Sequence, residues 1–367
     1  MDPKAYWVAF NSIKGVGAVR LRKILEHFGD LSIAWHAPAD ALRQAGLPEK
    51  VVERVLLRRS KLDLEAYWAK IQKTGVNVLI WEDEEYPRRL REIHNPPPVF
   101  YVRGSLVMED EWAVAIVGTR RVTSYGKQVT QELASFLARN GITVISGMAR
   151  GVDSIAHESA LEAGGRSLAI LGCGVDCIYP SENRQLAERM MKCGGLISDY
   201  ALGTPPDARN FPPRNRLISG FSLATVVIEA GERSGALITA SFAAEQGREV
   251  FAVPGTIYAP LSVGTNRLIK QGAQPYTSPQ ELLELLNFEM IDEQRAVRQV
   301  FNVEPFEDEI LTIIRNEPLH VDEICVRCEE PVEKVSSALV MLELKGIVRQ
   351  AGDMKYQAIM ENREKYG

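Results

Sequence analysis

Short apolar runs alternate with amphipathic stretches through the middle of the chain. Runs of three to five mainly apolar residues occur at 113–117, 143–145, 167–171, 196–198, 224–228 and 249–253. The stretches between and after them have helical periodicity and cover 127–139, 154–163, 182–192, 235–245 and 263–271. Strands that are apolar on both faces are typical of a parallel sheet covered by helices on both sides. The alternation predicts an α/β fold with a doubly wound, mostly parallel, extended Rossmann-like sheet.

The N-terminal residues have a pattern of short helices. Helical patterns cover 5–13 and 19–28, and the turn between them reads Gly15-Val16-Gly17. A Gly-x-Gly turn between helices is typical of a helix-hairpin-helix, in which small residues let backbone N–H groups approach a DNA phosphate. A tight turn that binds nothing is the alternative. We expect residues 1–70 to form a helical module of the helix-hairpin-helix or SAM-like kind.

Strands at 76–81 and 98–102 begin the next part of the chain, so we expect the sheet domain to cover 71–288. Residues 290–301 have the composition of a polar linker. Three helical patterns and a hairpin follow and predict a winged-helix module over 300–367. The patterns lie at 306–315, 321–325, 332–344 and 346–357.

Composition indicates a globular protein of two or three domains, because the 367 residues are 46% hydrophobic. No apolar run approaches the roughly 18 residues of a membrane span, and the N-terminus lacks the order of a signal peptide, so we expect a cytoplasmic protein without a membrane partner. The five cysteines do not form a disulfide framework. Cys325 and Cys328 have metal-like spacing but too few companion ligands, so no metal or cofactor is expected.

Charge is distributed unevenly along a chain whose formal net charge is -5. Residues 1–60 hold ten Lys/Arg and six Asp/Glu, a net of +4, whereas residues 300–367 hold eight Lys/Arg and fourteen Asp/Glu, a net of -6. An acidic module suits protein contact better than DNA, which is a polyanion. We therefore favour protein contact, or a structural role, over DNA reading for the winged helix.

Loops that follow the predicted strands carry arginine, glycine and hydroxyl groups. The first loop combines Gly118, Thr119 and Arg120, and the second combines Gly147 with Arg150. Glycine permits close approach, and a guanidinium presents a fork of donors to phosphate oxygens. The loops lack an intact Gly-x-Gly-x-x-Gly motif, so they do not predict a dinucleotide cofactor.

A second cationic segment precedes the fifth strand of this alternation. No acidic residue lies between Ala208 and Ile228, and a Gly/Ser loop then opens a helix at Ser234. Together these groups predict a site for a nucleic-acid phosphate backbone. The predicted site residues are Gly118, Thr119, Arg120, Gly147, Arg209, Arg214, Asn215, Arg216, Ser234 and Gly235.

Catalysis is not predicted, because no phosphate-binding loop is accompanied by a base and a nucleophile or metal. Asp153 and His157 are four residues apart on a helix and could form an acid/base pair, but a helix cap and a packed polar side chain are the more common roles for such residues. No Gly-Lys-Ser/Thr loop and no nucleophile elbow occurs. The chemistry indicates binding.

Several independent motifs resemble one protein family, the DNA processing protein A family, called DprA or Smf. They are Gly118–Arg120, Ser146–His157, Ala169–Asp176, Tyr179–Asn183, Phe211–Arg216, Ser234–Thr239 and Phe251–Gly255. The resemblance covers about residues 110–285, and Met148 departs from it because a small or apolar residue is usual there. It implies single-stranded DNA binding, a homodimer, and protection of incoming DNA with loading of RecA recombinase in natural transformation.

The alternative is a phosphoribohydrolase of the lysine-decarboxylase-like superfamily, acting on nucleoside monophosphates. Such enzymes use a similar sheet with a Pro-Gly-Gly-x-Gly-Thr loop near a catalytic Glu and Arg. The corresponding stretch here, 229–235, keeps a Glu and glycines but not that pattern. We therefore favour the single-stranded DNA-binding hypothesis.

Overall fold

The computed structural model divides the chain into two compact units, Met1–Leu282 and Leu283–Gly367, which we describe separately. The structure describes residues 1–286, 305–314, 318–328, 330–344, 348–350, 352 and 354–358. The polar linker predicted at 290–301 lies outside these residues. The predicted domain boundaries at 70/71 and 288/300 stay predictions.

A nine-stranded sheet organises the first unit. Its spatial order is β1-β2-β6-β5-β4-β3-β7-β8-β9. The strands from β6 to β9 in this order are parallel, and β1 and β2 extend the sheet antiparallel beyond β6. The strands are β1 (Asn77–Ile80), β2 (Val99–Gly104), β3 (Ala113–Val117), β4 (Thr143–Ser146), β5 (Ser167–Ile170), β6 (Gly194–Ser198), β7 (Ala224–Val227), β8 (Glu249–Ala252) and β9 (Gln274–Pro275). The extended, mostly parallel Rossmann-like sheet is confirmed.

Helices cover the sheet and form the N-terminal part of the unit. They are α1 (Lys4–Asn11), α2 (Ala18–Phe28), α3 (Leu31–His36), α4 (Ala39–Gln44), α5 (Glu49–Lys61), α6 (Leu64–Lys73), α7 (Arg88–Glu92), α8 (Ser124–Arg139), α9 (Val152–Glu162), α10 (Arg184–Met190), α11 (Phe211–Gly220), α12 (Gly235–Glu245), α13 (Val263–Lys270) and α14 (Pro279–Leu285). Short 3-10 helices lie at Met108–Glu111, Ser181–Asn183 and Ala208–Asn210.

Helix α11 is not among the predicted helices, because the sequence pattern identifies this stretch only as a cationic segment. The two prolines of the segment, Pro212 and Pro213, lie in the first helical turn. Proline is tolerated there, because the first N–H groups of a helix have no intrahelical acceptor. The arginines that follow are therefore fixed on a helix.

The N-terminal helices share a hydrophobic core with the antiparallel end of the sheet. Phe10 is fully buried and meets the Trp35 ring edge-on at a centroid distance of 5.3 Å. The same core contains Val78 of β1 and Tyr101 of β2. Folding of residues 4–73 is thereby coupled to the sheet through one packed interior.

The second unit contains the winged-helix elements that the sequence predicts. Its helices pack around Ile310, Ile324 and Leu339 against a three-stranded antiparallel sheet in the order β10-β12-β11. Parts of the hairpin predicted over 346–357, namely residues 346–347, 351 and 353, lie outside the described part of the chain. The elements are α15 (Pro305–Ile313), β10 (Leu319–His320), α16 (Val321–Cys328), α17 (Val332–Leu344), β11 (Val348–Gln350) and β12 (Lys355–Ala358).

Helix α17 corresponds to the recognition helix of DNA-reading winged helices. Its only basic residue, Lys334, forms an ion pair with Glu330 and lies 4.5 Å from the centroid of the Phe306 ring. The charge of that residue is therefore already partnered inside the module. Among the described residues, no helix is long and apolar enough to cross a membrane.

Phe10→Ala should lower the free energy of unfolding of the first unit by about 3–5 kcal/mol, because it removes a fully buried ring from the shared core. Urea denaturation followed by tryptophan fluorescence measures this loss. Ile33→Ala, on the exposed side of α3, is the matched control and should change the free energy by no more than about 0.5 kcal/mol. Equal midpoints for the two variants would contradict the shared core.

Candidate nucleic-acid interface

The strand order reverses between β3 and β7, which are neighbours in space but far apart in sequence. Successive strands are added on one side of β3 as far as β6, and from β7 onward on the other side. Loops at the carboxyl ends of such strands diverge and leave a crevice where ligands of open α/β sheets bind. The loop that contains Arg120 and the loop that contains Ser234 follow these two strands.

Close packing fixes the loop after β3. A Cβ atom on Gly118 would lie 2.6 Å from Cγ2 of Val152 and 3.2 Å from the Glu229 carbonyl oxygen, so only glycine fits. The backbone carbonyl of Thr119 accepts a hydrogen bond from the N–H of Val152 at 3.2 Å. The side-chain hydroxyl of Thr119 accepts one from the N–H of Arg121 at 3.1 Å. The loop is held against the start of α9.

Glu229 holds the same loop from the β7 side. Its Oε2 accepts a hydrogen bond from the N–H of Thr123 at 2.9 Å, and its Oε1 accepts one from the hydroxyl of Thr123. Thr123 in turn caps α8, because its Oγ1 accepts the N–H of Gly126 at 3.2 Å. Both carboxylate oxygens of this buried residue therefore serve the fold.

An exposed cation and two aromatic rings meet beside this loop. The Arg120 guanidinium lies 5.8 Å from the centroid of the Phe211 ring, within the range of a cation–π interaction. Tyr179 stacks on the same ring with a centroid distance of 5.8 Å and an interplanar angle of 27°. Arg120 is exposed, Phe211 is half-buried, and Tyr179 is exposed. Together they present a positive charge and aromatic surface to solvent.

The two aromatic residues were not predicted as site residues. Phe211 belongs to the family-like segment 211–216 and Tyr179 to 179–183, but the predicted site consists only of groups that bind phosphate. Aromatic residues beside arginines are the pattern expected of a site that also stacks bases, and this signal was available in the sequence.

Arg214 lies inside the protein and not on its surface. Only 5% of the residue is exposed. Nη1 donates to the Gly147 carbonyl at 2.9 Å and to the Ile170 carbonyl, and Nε donates to the Asn215 side chain at 3.2 Å. Burial lowers the pKa of Arg214, and the nearby Asp153 carboxylate opposes this shift. The side chain joins α11 to the carboxyl ends of β4 and β5.

Gly147 makes room for this guanidinium. A Cβ atom there would lie 2.8 Å from Arg214 Nη2 and 2.8 Å from Asp153 Oδ2. Asp153 accepts the N–H groups of Gly147 at 3.1 Å and Ala149 at 3.2 Å. The second predicted loop is therefore built around a buried arginine and carboxylate.

Asn215 connects α11 to the loop after β7. This buried side chain donates from Nδ2 to the carbonyl of Gly235 at 3.2 Å. The hydroxyl of Ser234 caps α12 by accepting the N–H of Ala236 at 3.4 Å. Gly235 is exposed, and no heavy atom lies within 4 Å of the position that a Cβ atom would occupy.

The remaining two predicted arginines form ion pairs with neighbouring aspartates. Arg216 forms an ion pair with Asp199 at 2.7 Å and donates to the Asn95 carbonyl at 2.7 Å. It lines a cleft shared with the Gly15–Gly17 turn. Arg209 is exposed and pairs with Asp207. The hydrogen bonds from Arg209 hold the pKa of the Asp207 carboxyl well below its usual range. Exposed pairs of this kind contribute little, so Arg209 can exchange partners.

The structure thus groups the predicted residues into a solvent-facing set and a supporting set. Arg120 is exposed in the crevice beside the half-buried Gly118, Thr119 and Phe211. Gly147, Arg214 and Asn215 are buried and hold the walls of the crevice together. Ser234 and Gly235 form the neighbouring wall. Arg216 is engaged by Asp199 and Asn95, and Arg209 is engaged by Asp207.

His157 has a structural environment. It is fully buried, and Nδ1 lies 2.7 Å from the Ser167 hydroxyl. Burial, together with the positive charge of Arg214, lowers its pKa to about 3. A general base must reach a substrate proton, and this imidazole is enclosed by protein.

The phosphoribohydrolase alternative is not favoured. Its catalytic carboxylate would correspond to Glu229, which is buried and occupied by Thr123.

Comparison with known protein families gives two matches along the chain. A family model described as DNA recombination-mediator protein A matches residues 77–287. A second model, described as the DprA winged helix domain, matches residues 294–354. The two matches cover the sheet and the C-terminal module.

Individual relatives are similar over most of their length. Protein Smf from Synechocystis is 37% identical over 96% of this chain and 98% of its own. The X-ray structure of DNA processing protein A from Streptococcus pneumoniae has a TM-score of 0.68 and 31% identity, covering 76% of this chain and 97% of that one. The DNA processing protein A structure from Helicobacter pylori, described by its unique single-stranded DNA binding mode, has a TM-score of 0.53 and 32% identity, covering 59% and 96%.

Arg214→Ala should destabilise the first unit by about 3–5 kcal/mol, because it leaves the buried carbonyls of Gly147 and Ile170 without this donor and removes the positive charge near the buried Asp153. Arg120→Ala removes an exposed guanidinium and should change stability by no more than about 0.5 kcal/mol. Urea denaturation of both variants provides the measurement. If Arg214→Ala unfolds at the wild-type midpoint, the guanidinium does not hold the strand ends together.

Acid should destabilise the first unit through His157. The unfolded chain takes up a proton near the ordinary histidine pKa of about 6.5, whereas the folded protein does so only near 3, so stability falls as the pH falls between these values. The slope from this residue is at most about 1.4 kcal/mol per pH unit. Urea denaturation at several pH values should show a shallower slope for His157→Gln than for wild type. Equal slopes for wild type and His157→Gln would contradict the assignment.

Proposed function

The chain belongs to the DNA recombination-mediator protein A family, which includes the DprA and Smf proteins, and we propose that it binds single-stranded DNA through the crevice at the carboxyl ends of β3 and β7. The observation that carries this proposal is the exposed Arg120 guanidinium beside Phe211 and Tyr179. A cation serves a phosphate, and an aromatic surface serves an unstacked base. Proteins that bind single strands combine these two elements.

We propose that recognition of this strand is largely independent of sequence. Arginines directed at phosphates carry little base information, and stacking accepts every base because each has a π face. The description of the Helicobacter pylori relative as a single-stranded DNA binder supports the same ligand class. Duplex DNA does not offer unstacked bases to such a crevice.

We further propose roles for the two groups of predicted site residues. Gly118, Thr119, Arg120, Ser234 and Gly235 contact the strand, and Arg214 with Gly147 and Asn215 positions the walls that hold them. Arg209, whose exposed ion pair is weak, can turn to a phosphate. Arg216 contributes from the cleft that it shares with the N-terminal hairpin.

The family also suggests a biological role, in which the protein protects incoming single strands in the cytoplasm and helps load RecA recombinase during natural transformation. We propose a homodimer as the assembly that performs it. The acidic winged helix fits the same proposal, because Lys334 on α17 is already paired and the module is suited to protein contact. Binding, and not catalysis, is the proposed activity.

Arg120→Ala should weaken binding of an oligothymidylate by about 1–3 kcal/mol, the range for a lost charge-assisted contact. The slope of log affinity against log salt should also become shallower by about 0.7, the value for one phosphate contact on a single strand. Fluorescence anisotropy at several salt concentrations measures both quantities.

Two further variants make this test specific. Phe211→Leu keeps an apolar side chain but loses the aromatic face, so it should weaken binding while the salt slope stays the same. Arg88→Ala, an exposed arginine on α7, is the control and should bind as wild type does. Normal affinity of Arg120→Ala, or a preference of the wild type for duplex, would refute the proposal.

A further inference from the structure

The loop after β8, residues 254–262, exposes two large side chains at its tip. Ile257 is 77% exposed and Tyr258 is 87% exposed. Apolar side chains of this size normally contribute buried area to a core, and a neighbouring pair exposed to this extent indicates a contact surface. None of the contacts described so far uses either residue.

The base of this loop is held firmly. Asn266 accepts the N–H of Gly255 at 3.2 Å and donates to the Gly255 carbonyl at 2.9 Å. Two further backbone hydrogen bonds close the loop. The N–H of Ala259 donates to the carbonyl of Thr256 at 3.0 Å, and the N–H of Ser262 donates to the carbonyl of Ala259 at 2.9 Å. The tip is therefore presented by a closed loop with a defined conformation.

A third exposed ring lies at the start of this loop. The hydroxyl of Tyr125 donates to the Pro254 carbonyl at 3.1 Å, and Tyr125 is 52% exposed. Tyr125 belongs to the first turn of α8, directly after the loop that contains Arg120. It thus connects the β3 crevice to the β8 loop along the same edge of the sheet.

Strand geometry sets the distance between the two places. β8 pairs with β7, and β7 pairs with β3, so β8 is two strands away from the strand that carries Arg120. With neighbouring strands about 4.8 Å apart, the two loops start about 10 Å from each other. A single strand of DNA bound at Arg120 therefore needs to extend only a short distance to reach the β8 loop.

Charge along this edge suits a polyanion. Arg121, Lys127 and Arg233 are exposed, and their charged groups have no hydrogen bond or ion pair with the residues that the structure describes. Residues 250–266 carry no charged side chain, so the tip itself does not repel a phosphate. The loop after β7 holds two acidic residues, Glu229, whose carboxylate is buried and bonded to Thr123, and Glu232, which lies beside Arg233.

We propose that Tyr258, together with Tyr125, forms a second base-stacking station for the same DNA strand, beyond the station at Phe211. Free cations beside isolated rings favour a nucleic acid, because a protein interface needs a wider apolar patch than this two-residue tip. This inference rests on the proposed function, since it extends the path of the strand bound at Arg120.

Photo-crosslinking tests the location directly. Full-length protein is irradiated with an oligothymidylate that carries 5-iodouracil at successive positions, and the tryptic peptides are identified by mass spectrometry. The contact should give adducts on the peptide of residues 249–267, which contains Tyr258, and on the peptide of residues 122–127, which contains Tyr125. Adducts at Phe211 without any on these two peptides would overturn the second station and leave the first intact.

A length series separates this proposal from the first one. Tyr258→Ala should bind the shortest oligothymidylates, about 4 nucleotides long, as wild type does, but bind those of about 20 nucleotides about 5- to 150-fold more weakly, the effect of losing one stacked base. Tyr258→Phe should restore the affinity, and Ile33→Ala, an exposed apolar residue on α3, should bind as wild type does. Arg120→Ala, by contrast, should weaken binding at every length.

Two outcomes would overturn the inference. One is wild-type affinity of Tyr258→Ala at all lengths. The other is a reduction in the sedimentation mass of Tyr258→Ala without a change in DNA affinity, which would assign the tip to contact between copies of the chain. Both leave the binding of wild-type protein to short strands, and hence the proposed function, unaffected.

Discussion

The buried guanidinium of Arg214 is the interaction on which the crevice depends. It donates to carbonyls at the ends of β4 and β5, and its own helix begins at Phe211, the ring beside Arg120. A buried cation is costly unless its donors are satisfied, so this side chain fixes the distances between the strand ends and α11. Gly147 is part of the same arrangement, because any side chain there would occupy the space of the guanidinium. The exposed groups are held in defined positions because the Arg214 guanidinium beneath them is engaged by the protein.

This division of labour separates two kinds of arginine that look alike in a sequence. Arg120 follows Gly118 in the sequence, and Arg214 follows Pro212 and Pro213. From the sequence, both arginines are candidates for contact with a phosphate. Only the first retains a guanidinium in solvent. A substitution at the second acts on the stability of the walls, and its effect on DNA would be indirect.

Periodicity was sufficient to predict strands β1 to β8, most of the helices between them and the winged helix. Strands β3 to β7 are buried along their whole length and therefore read as apolar runs. The helix at 211–220 was missed because its two prolines resemble a turn, although they occupy first-turn positions where proline costs little. The exposed set at Gly118–Arg120 follows from loop position alone. The burial of Arg214, the ion pair of Arg216 with Asp199 and the proximity of Tyr179 to Phe211 depend on long-range packing that a single sequence does not encode locally.

The two edges of the large sheet have consequences for how copies of the chain can assemble. One edge is the four-residue strand β1, where the ammonium group of Lys4 donates to the carbonyl of Val78 at 3.0 Å. The other is the two-residue strand β9, which ends in Pro275 and so lacks a backbone donor there. Short edges with a lysine or a proline discourage the addition of a strand from another molecule. A continuous intermolecular sheet between copies of this protein, with the fibre growth that it would permit, is therefore disfavoured.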